Sequence, residues 1–440
     1  MAQNLRNDFR ANLFNYITNV VKSNSFINEF KINKKAFTRN RKLSFSDLFL
    51  FLCGLRKQSM ASELNAFIDQ CQDAGYDFPQ IDPSAVFKSR LKIHYKAFAE
   101  INHQCIEFTN QRSPLKRWKG LQLMSIDGST FRVPAFCDVL NFFHPNRNAK
   151  GLPSGPPLAR SQVLYDPLNQ ITLRAELGAT DRAEINFLPS LSWNWDANQL
   201  LLADRHYDAF WLFSWLRKRK TEFCIRMKTS QRKEIIDFIN SRQRQSVITL
   251  HPGRSARARC RFHQVSDQPQ TLRLIRVDLP DGTVEVLVTS LLDRIAFPAS
   301  DFKELYHQRW SIEEKYKQFK CRLEFENWTG KSVCTIFQDF YAKIFVSNLV
   351  TWLSRGAQPI VMKKTEKRSL KYDINWAHAF STYKRFYVRL FFNTRDLFKN
   401  LNHLYHTFAS NLSPIRPGRA NPRNHKPFKR VFYSAYKSAF

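Results

Sequence analysis

Apolar side chains recur every three to four residues through the first quarter of the chain, which indicates helices. The pattern predicts three of them: Phe9–Val21, Phe45–Leu55 and Leu64–Cys71. A further helix is predicted to begin at Asp82-Pro83 and to continue through four cations: Lys88, Arg90, Lys92 and Lys96. With the turn at Gly75, this arrangement fits a helix-turn-helix reader of DNA, and an ordinary helical bundle with a basic exterior fits it equally well.

The period of the pattern changes after the basic bridge at residues 112–119. Apolar runs then predict five strands: Leu121–Ile126, Arg160–Tyr165, Gln170–Leu177, Gln199–Ala203 and Glu222–Met227. A short helix capped by Thr180 or Asp181 and stopped at Pro189, and a basic helix at Ala209–Lys220, are predicted between them. Strands that alternate with helices predict an α/β fold.

We expect a β-rich insertion in residues 228–298. Four strands are predicted there: Gln245–Leu250, Arg257–Phe262, Leu272–Val277 and Val284–Ser290. Aromatic and apolar helices are expected to follow as far as residue 401. Residues 402–440 contain basic residues and prolines but no Asp or Glu, which predicts an extended tail that follows phosphates without reading sequence.

The charge of the chain indicates a polyanionic partner. Lys and Arg number 69 against 37 Asp and Glu, which gives a formal net charge of +32. Nucleic acid is the first candidate, through phosphate neutralisation and counterion release. A membrane surface fits less well, because the basic residues are spread along the chain and not gathered on one amphipathic helix. A glycosidase built on two carboxylates also fits this charge poorly.

The eight cysteines are scattered and form no Cys-x-x-Cys pair, so we expect reduced thiols in a cytoplasmic protein and no zinc site. The N-terminus lacks the apolar core of a signal peptide, and the longest apolar runs are too short to cross a bilayer. The expectation is a protein without a membrane partner.

Two acids follow apolar strands. Asp127 comes directly after Leu121–Ile126 and precedes Gly128, and Asp204 comes directly after Gln199–Ala203. A carboxylate at the end of a buried strand meets solvent and can serve as a metal ligand. Asp-Gly-Ser is also a common turn sequence, so this pattern alone leaves both interpretations open.

A helix is predicted over residues 306–320, with Leu305, Ile312, Tyr316 and Phe319 at helical spacing. On this helix a second stripe, within roughly 60°, combines a phenol, two cations and one carboxylate: Tyr306, Arg309, Glu313 and Lys320. A carboxylate between two cations suits a site where a metal ion and a phosphate meet. A solvated helix face with ion pairs is the alternative.

The spacing Tyr306-x2-Arg309-x3-Glu313-x6-Lys320 resembles the signature of the Y-R-E-K group of bacterial insertion-sequence transposases, an IS-four-like branch of the DDE transposases. The resemblance implies a ribonuclease-H-like mixed sheet flanked by helices, interrupted by a β-rich insertion and preceded by a helical DNA-binding region. It implies a catalytic triad: Asp127, Asp204 and Glu313. These acids are expected to hold two Mg²⁺ ions, with Mn²⁺ as a substitute.

The resemblance also suggests residues that contact DNA. Arg309 and Lys320 are expected to hold phosphates, and Tyr306 to donate a hydrogen bond to one. The remaining candidates are Arg205, Trp310 and Lys317. Some relatives hold a flipped base with a tryptophan of the insertion, but residues 228–300 contain none. Trp310 is either a wedge for the DNA stack or a core residue.

By this resemblance the chain is expected to be a DNA transposase that moves an insertion sequence by cut-and-paste transposition. It is expected to act on double-stranded DNA as a homodimer in a synaptic complex. Its expected location is the bacterial cytoplasm, at the nucleoid. An inactive DNA-binding repressor and a nuclease of the same fold that never joins strands are the alternatives. Five segments are expected: a helical DNA-binding region (1–115), the first part of the catalytic core (116–227), the insertion (228–298), the second part of the core (299–401) and the basic tail (402–440).

Overall fold

An eight-stranded mixed sheet forms the centre of the part of the chain that the structure describes. This structure is a computed structural model, and it describes residues 9–38, 42–145, 151, 156–393 and 395–416. The strands are β1 (Gln122–Arg132), β2 (Leu158–Asp166), β3 (Ile171–Gly178), β4 (Gln199–Ala203), β5 (Glu222–Arg226), β6 (Gln245–Leu250), β7 (Gln270–Asp278) and β8 (Val284–Thr289). Across the sheet they lie in the order β3-β2-β1-β4-β5-β8-β7-β6.

The directions of the first five strands give the fold. β1, β4 and β5 are parallel, β2 pairs antiparallel with β1, and β3 pairs antiparallel with β2. This is a ribonuclease-H-like sheet, which confirms the predicted fold class. β4 is apolar apart from Gln199 and fully buried, as expected for a strand covered on both faces.

The strands of residues 228–298 extend the same sheet. β8 pairs with β5, β7 with β8 and β6 with β7, all antiparallel. The added strands therefore continue the central sheet at its β5 edge.

Helices cover this sheet. Before β1 lie α1 (Phe9–Lys22), α2 (Asn24–Phe30), α3 (Phe45–Leu52), α4 (Met60–Asp73), α5 (Pro83–Arg90) and α6 (Lys96–Asn110). Later helices are α7 (Cys137–Phe143), α8 (Phe210–Lys218), α9 (Lys233–Asn240), α10 (Arg254–Phe262), α11 (Phe302–His307), α12 (Ser311–Lys317), α13 (Val333–Thr365), α14 (Trp376–Phe392) and α15 (Leu397–Phe408). α13 packs against both α6 and β3, so the N-terminal helices share a hydrophobic core with the sheet.

The predicted helix at 306–320 lies within a longer helical run. α11 passes through a 3₁₀ turn (Gln308–Trp310) into α12, which continues as a π-helical turn (Gln318–Arg322). We call residues 302–322 the signature helix. Leu305, Ile312 and Phe319 are buried, as their spacing predicted.

The basic helix predicted from Asp82 to Lys96 is wrong in its extent. Asp82 caps α5 as expected, but α5 ends at Arg90 and α6 begins only at Lys96. The chain between them bonds to the segment after α2, because the Ile32 N–H donates to the Lys92 carbonyl and the His94 N–H to the Phe30 carbonyl, at 2.9 and 2.7 Å. These bonds hold the segment outside a helix.

Three further predictions of local structure are wrong. Arg257–Phe262 is part of helix α10 and not a strand: the alternation of Arg and Ala imitates a period of two, but both residues favour helices. The short helix before Pro189 is a 3₁₀ helix that begins at Glu184 and includes Pro189. Thr180 does not cap it, because the Thr180 backbone N–H and hydroxyl both donate to the Phe143 carbonyl. β1 continues past Asp127 as far as Arg132, since β2 pairs with it over this length.

The predicted extended tail is wrong for residues 402–415. α15 continues to Phe408, and a strand β10 (Leu412–Ile415) pairs with β9 (Lys371–Ile374). Residues 417–440, where most of the predicted basic tail falls, lie outside the described residues. Among the residues that are described, no helix has both the length and the apolar character needed to cross a membrane.

Candidate active site

The register of β1 against β4 brings Asp127 and Asp204 to neighbouring positions. The two strands are parallel, and their last paired residues are Ser125 and Leu202. Asp127 and Asp204 each lie two residues beyond this last pair. Since side chains two residues apart on a strand lie on the same face, the two aspartates occupy matching positions on adjacent strands, which lie about 4.8 Å apart. Sequence analysis predicted this meeting from two strand ends, although β1 itself does not end at Asp127.

The signature helix crosses β1 beside these acids. The Arg309 Nη2 donates to Glu313 Oε1 at 2.7 Å, and its Nη1 lies 3.9 Å from Asp127 Oδ2. The Tyr316 hydroxyl donates to the Asp127 backbone carbonyl at 3.1 Å. Lys320 Nζ donates to Ser129 Oγ at 2.8 Å. The predicted stripe of Arg309, Glu313 and Lys320 therefore faces β1 and the carboxylate of Asp127.

The electrostatic environment of Asp127 disfavours its charge. Burial raises the pKa of Asp127 to about 6, and the negative charges of Asp204 and Glu184 act in the same direction. Arg309 and the Gly128 backbone N–H oppose the increase but do not cancel it. Because this environment destabilises the ionised form of Asp127, a cation bound beside it would be favoured.

Asp204 is fixed by the turn that follows it. Its Oδ1 accepts a hydrogen bond from the His206 backbone N–H at 2.8 Å, so that it caps the 3₁₀ turn Arg205–Tyr207. Its Oδ2 lies 2.8 Å from His206 Nδ1. The carboxylate is thus oriented before any ligand binds.

Comparison with known proteins identifies the family of this arrangement. The family model of the transposase DDE domain matches residues 118–349, more than half of the 440 residues, and this segment contains all three acids. The chain belongs to the DDE transposase family. Members of this family generally use a divalent metal ion.

Two known transposases are similar to this chain. The transposase InsG for insertion sequence element IS4, from Escherichia coli strain K12, is 24% identical over 278 residues, which are 62% of this chain and 61% of that protein. A piggyBac transposase structure, a synaptic complex with hairpin DNA determined by cryo-electron microscopy, aligns with 94% of this chain and 88% of its own, at 10% identity and a TM-score of 0.44. The match to the curated relative therefore spans less than two thirds of that relative.

The three acids of this transposase-family chain suit a divalent cation in chemistry and in charge. Carboxylate oxygens are the ligands that Mg²⁺ prefers. Within the described ranges, no three His, Cys, Asp or Glu side chains already stand close enough to enclose a metal ion. The Arg309 guanidinium instead lies between Asp127 and Glu313, so a positive group already occupies part of this acidic centre.

The other predicted site residues have varied surroundings. Tyr306 is buried, and its hydroxyl donates to the Ala203 carbonyl at 3.3 Å. Trp310 is 49% exposed, so the interpretation as a core residue is wrong. Lys317 is exposed and pairs with Glu314, and both residues line a cavity. Arg205 is exposed in the turn after Asp204.

Sequence analysis missed Glu184, which lies beside Asp127. A Cβ atom at position 128 would lie only 2.3 Å from the Glu184 Cδ, so this carboxyl group packs against the Gly128 backbone, in space that a larger residue there would share. In the sequence, Glu184 falls within the short helix predicted before Pro189. Its spacing from Asp127 carries no motif, and only the folded chain brings the two together.

Proposed function

We propose that the chain is a DNA transposase that cleaves DNA strands at the ends of an insertion sequence and joins the freed 3′ ends to target DNA. The observation that carries this proposal is the register of β1 and β4, which sets Asp127 beside Asp204 while the signature helix presents Arg309 and Glu313 to Asp127. Family membership supports the same reaction class.

The cofactor in this proposal is Mg²⁺, two ions, with Mn²⁺ as a substitute. Asp127, Asp204 and Glu313 would hold them. When bound, such a pair supplies activation of the attacking oxygen and stabilisation of the leaving oxygen. Glu313 would bind through a carboxylate oxygen, and Arg309, which is bonded to Glu313 Oε1, would lie beside the ions, where it could hold a phosphate oxygen.

Basic and aromatic residues around the triad would bind the DNA backbone. Lys320 Nζ is 2.8 Å from Ser129 Oγ, so its ammonium is held beside β1, where a phosphate next to Asp127 would lie. Arg205, Trp310 and Lys317 are exposed on the surrounding surface and would contact the strand on either side. Tyr306 is assigned a positioning role, since its buried hydroxyl braces the carbonyl of Ala203, directly before Asp204.

The proposed partners are double-stranded DNA, both as element ends and as target, and a second copy of the chain that would bring two ends together in a synaptic complex. The formal net charge of +32 supports a DNA partner. A cytoplasmic, nucleoid-associated location follows from this function.

An excision assay tests the proposal. A donor plasmid with the gene's native flanks is introduced with wild-type protein or with Glu313→Gln, and repaired donor junctions are counted. We expect junctions only with the wild type. Junctions at equal frequency with Glu313→Gln would remove Glu313 from the triad. Specific end binding without excision by either protein would favour a repressor.

A joining assay separates transposition from simple cleavage. Pre-cut duplex ends with free 3′-hydroxyls are incubated with a supercoiled target and Mg²⁺. Joined products are expected from the wild type and not from Asp127→Asn or Asp204→Asn. Pre-cut ends that stay unjoined, together with cleavage of uncut element ends by the same protein, would assign the chain to nucleases of the same fold.

A further inference from the structure

A second basic surface lies on α10, in the part of the chain that joins β6 to β7. Residues 242–266 include six arginines and no Asp or Glu. Four of these arginines are on α10 itself: Arg254, Arg257, Arg259 and Arg261. All four are exposed.

The arginines of α10 are arranged along one face of the helix. Arg254, Arg257 and Arg261 follow the spacing i, i+3, i+7 and therefore fall within a stripe of roughly 60° that is about 10 Å long. Cys260, which is fully buried, and the partly buried Ala256 lie on other sides of the helix, against the core. The arginine stripe therefore points to solvent.

Nothing in the described part of the chain neutralises this stripe: no ion pair joins Arg254, Arg257 or Arg261 to a carboxylate. Like charges three and four residues apart destabilise a helix, so their alignment has a cost in the free protein. Arginine also binds phosphate through two parallel N–H groups, which lysine cannot do. Aligned, unpaired arginines are what a phosphate backbone would bind.

Two further features make this surface suitable for a ligand. Phe262 follows the stripe and is 77% exposed, which is unusual for a phenylalanine. The adjoining end of the helix is held firmly, because the His263 ring stacks on Trp211 of α8 at 3.8 Å and Lys218 Nζ donates to the Gln264 carbonyl at 3.1 Å. The backbone that carries the exposed Phe262 is therefore held in place.

We propose that α10 is a second DNA-binding surface of the protein, on which Arg254, Arg257 and Arg261 contact phosphates of a DNA duplex and Phe262 contacts the sugar and base edges beside them. This proposal rests on the proposed function for its choice of polyanion. It assigns a DNA contact to a segment that contributes no residue to the triad.

The test is duplex binding by the full chain as a function of salt, measured by fluorescence anisotropy with a 30-base-pair duplex in EDTA. In Arg254→Gln/Arg257→Gln/Arg261→Gln, loss of three phosphate contacts should reduce the slope of log K against log salt by about 2.7. The matched control is Lys363→Gln/Lys367→Gln/Lys371→Gln, which removes the same charge from exposed lysines in and after α13. The control slope should stay within about 0.5 of the wild type.

Two more variants define the chemistry. Arg254→Lys/Arg257→Lys/Arg261→Lys keeps the charge, so the slope should be retained while affinity falls several-fold. Phe262→Ala should weaken binding severalfold at every salt concentration without a change in slope. The proposal would be overturned if the arginine-to-glutamine and the lysine-to-glutamine triple variants lost the same slope, or if the arginine-to-glutamine variant kept the wild-type slope. Wild-type affinity in Phe262→Ala would remove Phe262 from the proposed surface.

The outcome is independent of catalysis. The same measurements in the Asp127→Asn background should give the same difference in slope, because no strand is cleaved in EDTA. Absence of excision by the wild type would contradict the proposed function but would not affect the salt-dependence result for α10. Normal excision by the wild type, with an unchanged slope in the arginine-to-glutamine variant, would contradict only the α10 proposal.

Discussion

Asp339 and Asp127 are both carboxylates beside arginine, but the protein treats them in opposite ways. The Asp339 side chain is 1% exposed and accepts from Arg56 and Arg90, each at 3.1 Å, and from the Thr329 N–H and hydroxyl. Burial alone would raise the pKa of Asp339, but Arg90 and Arg56 hold it well below its usual range. This acid is fully compensated.

Asp127 lies at a less compensated centre. Its side chain is 20% exposed, and its arginine neighbour is 3.9 Å away and bonded to Glu313 at 2.7 Å. Burial together with the nearby acids raises its pKa to about 6. The difference indicates which carboxylate joins parts of the fold and which one is kept for a ligand.

The largest effect is expected on catalysis. Asp127→Asn should reduce DNA cleavage by about a thousandfold or more, because it removes one member of a set of groups that act together. Binding of duplex DNA should remain, since the phosphate-binding cations are unchanged. Cleavage by Asp127→Asn at more than a tenth of the wild-type rate would place the reaction elsewhere.

Asp339→Asn should act on folding. It removes the charge of the carboxylate that the buried Arg56 and Arg90 share, which costs about 3–5 kcal/mol of unfolding free energy. Urea denaturation at pH 7.5 would measure it. A decrease in unfolding free energy below about 1 kcal/mol would mean that the contacts of Asp339 do not hold the N-terminal helices against α13.

A third prediction uses the pH dependence of Asp127. In the folded protein the pKa of Asp127 is about 6, above its ordinary value of 3.8, so its ionisation opposes folding. As pH rises from about 4 to about 6, the unfolded chain releases this proton before the folded chain does, and the unfolding free energy of the metal-free protein falls. Asp127→Asn should therefore be more stable than the wild type at pH 8, by up to about 3 kcal/mol. At pH 4 the two should be nearly equal. A wild type as stable as the variant at pH 8 in EDTA would contradict this.

The smallest effect is expected at a surface ion pair of the same helix. Lys317 and Glu314 are 68% and 70% exposed, so their pair contributes only about 0–1 kcal/mol. Lys317→Ala should leave the unfolding free energy within about 0.5 kcal/mol of the wild type while weakening DNA binding. A large loss of stability would show that Lys317 is structural.

Local pattern was sufficient for much of the fold. The apolar run Gln199–Ala203 is β4 with the bounds predicted, and Arg309, Glu313 and Lys320 share one side of the signature helix as their spacing predicted. These predictions depend on a continuous apolar run and on a period of 3.6, which the chain carries in neighbouring residues.

Contacts between distant residues could not be predicted in this way. Arg90 looked like a cation for DNA, but it is fully buried because Asp339, 249 residues away, pairs with it. Glu184 meets Asp127 only through the close approach at Gly128. α10 was mistaken for a strand because its alternating Arg and Ala residues carry both periods.

Metal binding tests the central claim most directly, namely that the under-compensated acids are the functional centre. Mn²⁺ is titrated into wild type, Asp127→Asn and the surface control Glu314→Gln, and bound ion is measured by electron paramagnetic resonance at pH 7.5. We predict binding by the wild type and the control, with at least about tenfold weaker binding by Asp127→Asn. Equal affinity in all three proteins would contradict the assignment of Asp127 to the metal site.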